Sequence, residues 1–443
     1  MDLPPCCLGM PYFDKARLTR YPRSFQVDDY KESAGGYVKR STDRILVTHV
    51  GSLVRPDDLA QLLAAKETGR PVDEAAFEAT LRASVAEVVR KQAEVGVDIP
   101  SDGEYGKLGW TNYVGARLSG LAPRTSRPGD PEPINPRTAG RDAKRFEEFY
   151  EAYRPVETYQ WRLAKSDTAL AIPPATASWA WECTSPIGYK DQEIKRDVAN
   201  FRAALKDVNV AEAFLPVAAP ESARGVRLNR YYKSDEEYLA AIGDALRTEY
   251  RAIVDAGFLI QLDDAFLAHE YDRLLITRSS EDIHKEFAAY IDMLNYALRD
   301  IPEEKVRYHV CWGSWNGPHT SDVPLRDIVD LILRVRAQAY SLEAANPRHE
   351  HEWQVWQDVK LPDGKILIPG LVAHSTNVVE HPELIAWRIK NFAHLVGREN
   401  VIAGTDCGFS QNWNTVRVHP SIQWAKLEAL AQGARLASQE LWR

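Results

Sequence analysis

Cysteine is scarce in this chain: five in 443 residues, an odd number, with two of them adjacent as Cys6-Cys7. So sparse and uneven a set excludes a disulfide scaffold. It fits a reducing, cytoplasmic setting in which thiols stay free to bind metal. Long apolar runs are missing as well; none approaches the roughly 18 residues a membrane helix needs, so no membrane role is expected. The opening Met1-Asp2-Leu3-Pro4-Pro5 has neither a basic n-region nor an apolar h-region, which argues against a secretory signal. Nor is there a block of like charge. The net charge is −8, with both signs mixed along the chain, so nucleic acid and anionic membrane surfaces are not expected partners. The phosphate-cradling patterns GxGxxG and GxxxxGK are absent too, which leaves a nucleotide-binding fold without support.

What is present is material for a large core, since 44% of the residues are hydrophobic. Residues 1–43 read as an N-terminal extension, rich in Pro, Tyr, Arg and Lys and without a sustained period of 2 or 3.6. It is expected to pack over the following domain or a neighbouring subunit. From 44 to 443 a single rhythm repeats: an apolar strand, a polar tip, then helical patterning. The strands are expected at Ile45–Val50, Gly96–Pro100, Phe214–Val217, Phe258–Leu262, Val306–Val310, Ala339–Leu342, Ile366–Ala373 and Val401–Ala403. Trp179–Cys183 belongs to an excursion between the second and third units, and 122–136 and 346–365 read as long loops. Eight βα units with polar strand ends describe an α/β fold, a (β/α)8 TIM barrel whose active site lies at the C-terminal strand ends.

Two of those ends carry unusual side chains. His309 and Cys311 sit two residues apart at the end of a strand, hence on one face. Alone, a buried Cys near a His is usually ordinary core. Glu343 and Cys407 end two further strands, and a barrel would bring all three ends to one mouth. One imidazole, two thiolates and a carboxylate form a set that zinc accepts. Glu343 also has the plainer reading of a helix N-terminal carboxylate, and Cys407 that of a small buried residue.

The motifs Thr48-His49-Val50-Gly51-Ser52, Asp102-Gly103-Glu104, Gln261-Leu262-Asp263-Asp264, His309-Val310-Cys311, Glu343, His374-Ser375 and Asp406-Cys407-Gly408 resemble, in this order, the catalytic domain of cobalamin-independent methionine synthase. They also resemble its single-domain relatives, which include the epoxyalkane:coenzyme M transferases. The resemblance runs from about residue 44 to about residue 430. It implies that His309, Cys311, Glu343 and Cys407 hold Zn²⁺, which binds a small thiol substrate as thiolate for attack on an alkyl donor. It further implies that Ser52, Glu104 and Asp263 hold the backbone and amino end of a homocysteine-like thiol, and that His374 delivers a proton during alkyl transfer.

Zinc suits such chemistry because a thiol is mostly protonated at neutral pH, whereas metal-bound sulfur is deprotonated. Two departures narrow the expectation. The chain has no room for the second barrel that helps the long enzymes hold folate. The family's Gly-Pro-Val-Thr segment on the third strand, with a downstream folate-stacking tryptophan, is here Val217-Ala218-Ala219-Pro220-Glu221-Ser222. The donor is therefore open among folate, a corrinoid and an epoxide.

The first expectation is methionine-synthase-like methyl transfer, because Glu104 and Asp263 suit an ammonium. The runner-up is epoxide opening by coenzyme M, a 2-hydroxyalkyl-CoM lyase activity that needs a cationic clamp. Arg55, Lys107 and Arg117 are its nearest candidates, against an ordinary surface role. A zinc hydrolase and a porphyrinogen-decarboxylase-like enzyme are lesser alternatives, and a homo-oligomer is compatible with all of them.

Overall fold

The structure is a computed structural model that describes residues 38–125, 140–153, 179–225, 227–414 and 416–443. Cys6-Cys7, nearly all of the N-terminal extension, and residues 126–136 of the expected Pro-rich loop lie outside them. The described strands begin with β1 (Leu46–Val47), β2 (Leu118–Thr125), β3 (Trp179–Tyr189), β4 (Phe214–Ala218) and β5 (Arg227–Asn229). They continue with β6 (Leu259–Asp264), β7 (Val306–Val310), β8 (Ala339–Leu342), β9 (Ile366–Pro369) and β10 (Ile402–Ala403).

The result is a mixed α/β fold with parallel sheets. Strands β4, β6, β7, β8 and β9 form one parallel sheet in that order, and β1 pairs in parallel with β10. Every residue of β4, β6, β7, β8 and β9 is buried, as expected for parallel strands covered on both faces. Single parallel bridges, Leu367 to Val401 and Gly370 to Gly404, continue the pairing from β9 to the β10 segment. On the other side, a bridge from Thr48 to Ile99 and a Phe214 N–H bond to Pro100 O (3.1 Å) lead from β1 to β4.

Long helices make the crossovers that parallel pairing requires. Helices Glu74–Glu94, Asp235–Asp255 and Ser280–Ala297 start at side-chain caps, Asp73, Ser234 and Ser279, which accept first-turn N–H groups. The main core lies between such helices and the strands. A second cluster, with Val38, Leu46, Ile99, Phe214, Leu259, Ala339, Ile366, Ile368 and Ile402, gathers near the N-terminal ends of the strands. Val38 belongs to it through N–H bonds to Glu304 O and Gln338 Oε1, both 3.0 Å.

Four expectations are corrected in detail. Gly96–Pro100 is a single bridge rather than a strand: Asp98 Oδ2 takes the Val47 N–H (2.8 Å), and Pro100 has no N–H to offer. The strand expected over Ile366–Ala373 stops at Pro369, where Gly370 lies so close to Asp406 that a Cβ would fall 2.3 Å from its Oδ1. Residues 122–125, expected in a loop, belong to β2, which pairs antiparallel with β3 in the excursion sheet β2-β3-β5. The stretch 346–365 contains helical turns, Glu350–Gln354 and Val355–Asp358, pinned by the buried Val355 and Trp356.

A candidate metal and thiol site

The C-terminal ends of β7 and β10 bring sulfur to sulfur. Cys311 directly follows β7, and its N–H bonds Asp264 O on β6 (3.0 Å), which ties the β7 end to its neighbour. Cys407 follows β10 by four residues, behind Asp406, whose N–H bonds Val372 O (3.1 Å). The two sulfurs stand 3.7 Å apart. The donor atoms of His309, Cys311 and Cys407 all lie within 4.8 Å of one another. His309 Nδ1 is held by Ser341 Oγ on β8 (3.2 Å), while its Nε2 is buried without a hydrogen-bond partner.

This donor set fits a metal ion. Metal–sulfur bonds of about 2.3 Å in a tetrahedron put two sulfurs about 3.8 Å apart, which is the spacing found. Ser341 on Nδ1 turns the other ring nitrogen toward the sulfurs, the usual arrangement of a metal-binding imidazole. Buried thiols also show the strain of close approach. The hydrogen bond shared by the sulfurs draws Cys407 well below the ordinary thiol range, aided by His309, and pushes Cys311 well above it, so the pair holds one proton.

Glu343 directly follows β8 but stands outside this three-residue group. Its Oε1 accepts the Trp312 N–H (3.0 Å) and its Oε2 lies 3.3 Å from Asn346 Nδ2. Burial, with Asp406 close by, pushes its pKa well up. Asp406 joins the two ends: its Oδ1 accepts the N–H groups of Ala344 (2.8 Å) and Ala345 (2.9 Å).

The remaining expected residues, Ser52, Glu104, Asp263 and His374, are all buried. Ser52 packs on Gly408, where a Cβ would come 2.0 Å from Ser52 Oγ, and its carbonyl accepts the Phe409 N–H (2.9 Å). Glu104 is buried and adopts φ +60°, a left-handed conformation few non-glycine residues accept. Asp263 accepts from Gln261 Nε2 (2.9 Å), and burial carries its pKa up to about 8, against His309 and with the charge of Glu104 adding. His374 is 2% exposed, and neither ring nitrogen has a hydrogen-bond partner. Burial lowers its pKa to about 4, although the Cys407 charge pulls the other way.

None of the three cations considered for a clamp is on the surface. Arg55 donates to the carbonyls of Ser410, Glu104 and Lys107. Arg117 is buried among Asp197, Glu249 and Glu193. Lys107 Nζ lies 3.2 Å from Glu104 Oε1 and 2.5 Å from Pro216 O.

Sequence reasoning missed Ser314 and Arg417. Ser314 Oγ donates to Cys407 Sγ (3.4 Å) and lies 3.8 Å from Cys311 Sγ. It is brought there by the turn at Gly313, whose φ of +120° marked the spot only as a glycine after a strand. Arg417 is a cation whose field reaches both sulfurs, and nothing in its local sequence announces that. An inserted helix, Glu147–Tyr153, covers the loop after β7: Trp315 Nε1 donates to Tyr150 OH (3.3 Å), and the Asn316 N–H to Tyr153 OH (3.0 Å).

Residues 225–425 match the profile of the family described as the cobalamin-independent synthase catalytic domain. A methionine synthase of Thermococcus kodakarensis is 22% identical over 395 residues, covering 89% of this chain and 94% of that one. A 2-hydroxypropyl-CoM lyase of Xanthobacter autotrophicus is 22% identical over 237 residues, 48% of this chain and 57% of that one. Among solved structures, a B12-independent methionine synthase from a Shewanella species, in complex with selenomethionine, superposes with a TM-score of 0.63. That match spans 90% of this chain and 99% of the other at 16% identity, a likeness of fold. Residues 225–425 thus carry the profile of the cobalamin-independent synthase catalytic domain, and the chain is similar to methionine synthases and to a 2-hydroxypropyl-CoM lyase.

Proposed function

We propose that this protein is a zinc-dependent S-alkyltransferase that moves a methyl or larger alkyl group onto a small thiol, methionine-synthase-like in its first reading. The observation that carries it is the convergence of His309, Cys311 and Cys407, at tetrahedral spacing, beside two buried carboxylates. Zinc held there, with Glu343 moving in as a further ligand, would supply a thiol substrate with a lowered pKa and a fixed sulfur position.

The chain's own residues account for the rest of the reaction. Glu104 and Asp263 receive the ammonium of an amino-acid thiol, and Ser52 helps to hold the backbone end of that substrate. The substrate sulfur forms a bond to the donor carbon as the bond from carbon to the leaving group breaks. The leaving group needs a proton. His374, neutral in the empty site because burial holds its pKa near 4, takes the thiol proton on a ring nitrogen and returns it to the leaving group.

The parallel strands are read as one closed (β/α)8 barrel spanning 44–443, preceded by the extension 1–43. Support comes from the bridges that run from β9 through β10 to β1, and from Thr48 through Ile99 and Pro100 to β4. The second cluster draws residues from both ends of that circuit, Leu46 and Ile99 as well as Ile366 and Ile402. Free thiols at the site suit a cytoplasmic location.

Epoxide opening by a sulfonated thiol is the second reading, favoured by Arg417, a cation whose charge acts on both sulfurs. Bound metal measured in the purified protein, followed by titration with homocysteine and with coenzyme M, separates these readings. Metal-dependent binding of homocysteine alone supports the first, and of coenzyme M alone the second. Binding of neither thiol to metal-loaded protein overturns both.

A further inference from the structure

Lys107 is 4% exposed, a rare place for a lysine, and its environment is built rather than incidental. The turn that carries it runs through Gly103 (φ +71°) and Glu104 (φ +60°) and closes with a Lys107 N–H bond to Glu104 O (3.0 Å). Arg55 clamps that turn from one side, Nη2 donating to Glu104 O (2.7 Å) and Lys107 O (3.0 Å). The ammonium of Lys107 is fixed at three points: Glu104 Oε1 at 3.2 Å, Pro216 O on β4 at 2.5 Å, and the face of Tyr113, 4.3 Å from the ring centre. Tyr113 is itself anchored to Ala218 N (3.1 Å) and to Glu249 (3.3 Å). A left-handed glutamate held by one oxygen, on a turn fixed from both sides, is a carboxylate aimed in advance.

We propose that Lys107 is a positioning residue that sets the class of thiol the site accepts. By gripping one oxygen of Glu104, it fixes the direction of that carboxylate and leaves the other oxygen, with Asp263, for a substrate ammonium. Without that grip nothing among the described contacts would hold the Glu104 carboxylate in place, and a substrate ammonium would meet a side chain not yet aimed at it. The class so selected is thiols bearing an amino group, rather than thiols with an anionic end alone. This rests on the ammonium-binding role proposed above for Glu104 and Asp263.

The test is calorimetric titration of the zinc-loaded full-length chain with homocysteine and with 4-mercaptobutyrate, the same skeleton without the amino group. The wild type is expected to prefer homocysteine by about tenfold or more, the usual worth of a hydrogen bond to a charged partner. Lys107→Met should lose most of that preference by weakening homocysteine alone, and Lys107→Arg should restore part of it. Equal weakening of both thiols, or an unchanged preference in Lys107→Met, overturns the role of Lys107. Should Lys107→Met fail to fold, Lys107→Gln is read in the same way. A wild type that does not distinguish the two thiols overturns the ammonium reading itself, and Lys107 with it.

Discussion

The sulfurs of Cys311 and Cys407 approach to 3.7 Å although ninety-six residues separate them. Two β-strand ends, not a local motif, make the pair, and each end is tied to its neighbour by backbone bonds: Cys311 N–H to Asp264 O, Asp406 N–H to Val372 O. Such a pair in a buried site stores a proton that a metal ion would release, because a coordinated thiol is deprotonated.

Purified protein should therefore carry about one zinc per chain, and Cys311→Ser or Cys407→Ser should lose most of it, a hard hydroxyl replacing a soft thiolate. In metal-free protein Cys407 should be alkylated by iodoacetamide before Cys311, since the shared hydrogen bond makes it the thiolate partner. Elemental analysis and peptide mapping check both points. Full zinc occupancy in the double serine variant would defeat the ligand assignment.

The loop that closes over the sulfurs depends on one backbone conformation. Gly313 has φ +120°, and a Cβ there would lie 1.8 Å from the Trp315 ring, so alanine has to displace either the turn or the indole. Ser314 would move with it, and its bond to Cys407 would be lost. Gly313→Ala should lower metal affinity by about 10- to 100-fold, the usual effect of losing an outer hydrogen bond, with circular dichroism unchanged. Unaltered affinity in a competition titration would show that the turn does not shape the site.

Much of this arrangement was legible from pattern. The buried run Val306–Val310 placed His309 and Cys311 at a strand end, and the apolar Val401–Ala403 placed Cys407 just beyond another. Strand limits were less legible where side chains replace ladder bonds, as Asp98 does for Val47 beside the short Ile99 bridge. Partners joined across the fold left no mark at all. Nothing near Lys107 in sequence announces Pro216 O, and nothing near Asp406 announces the N–H groups of Ala344 and Ala345. Periodicity reports which face is buried, whereas these bonds depend on which loops meet.

Thiol selection should depend on pH through Asp263. Burial raises this carboxyl to about 8, so at pH 6 to 7 it holds a proton in the empty site. An ammonium favours the ionised form. Affinity for an amino thiol therefore rises as pH approaches 8 and falls below it, by at most about tenfold per unit. Dividing by the affinity for 4-mercaptobutyrate removes the contribution of the thiol itself. That ratio should climb from pH 6 to 8 in the wild type and lie flat in Asp263→Asn. A flat wild-type ratio would remove Asp263 from ammonium recognition.

The proton route turns on His374. It follows β9 by five residues, on a segment pinned where Ala373 N donates to Glu380 Oε1 (2.8 Å) and Lys426 pairs with Glu380 (2.8 Å). Both ring nitrogens are buried without partners, which is costly for an imidazole with no role and natural for one that exchanges a proton with a substrate. A metal-ligand role would instead place a ring nitrogen within the cluster of His309, Cys311 and Cys407, and His374 is not part of that group. His374→Asn should thus retain zinc and still bind thiol. Its turnover should fall by roughly 10²- to 10⁴-fold, the usual worth of a positioned acid or base. The loss should shrink with a donor whose leaving group departs without a proton, because the step that needs His374 is then absent. Zinc content, thiol affinity and turnover measured on one preparation decide the matter. Loss of metal in the variant would make His374 a ligand, and unchanged turnover with zinc retained would leave the proton to another group.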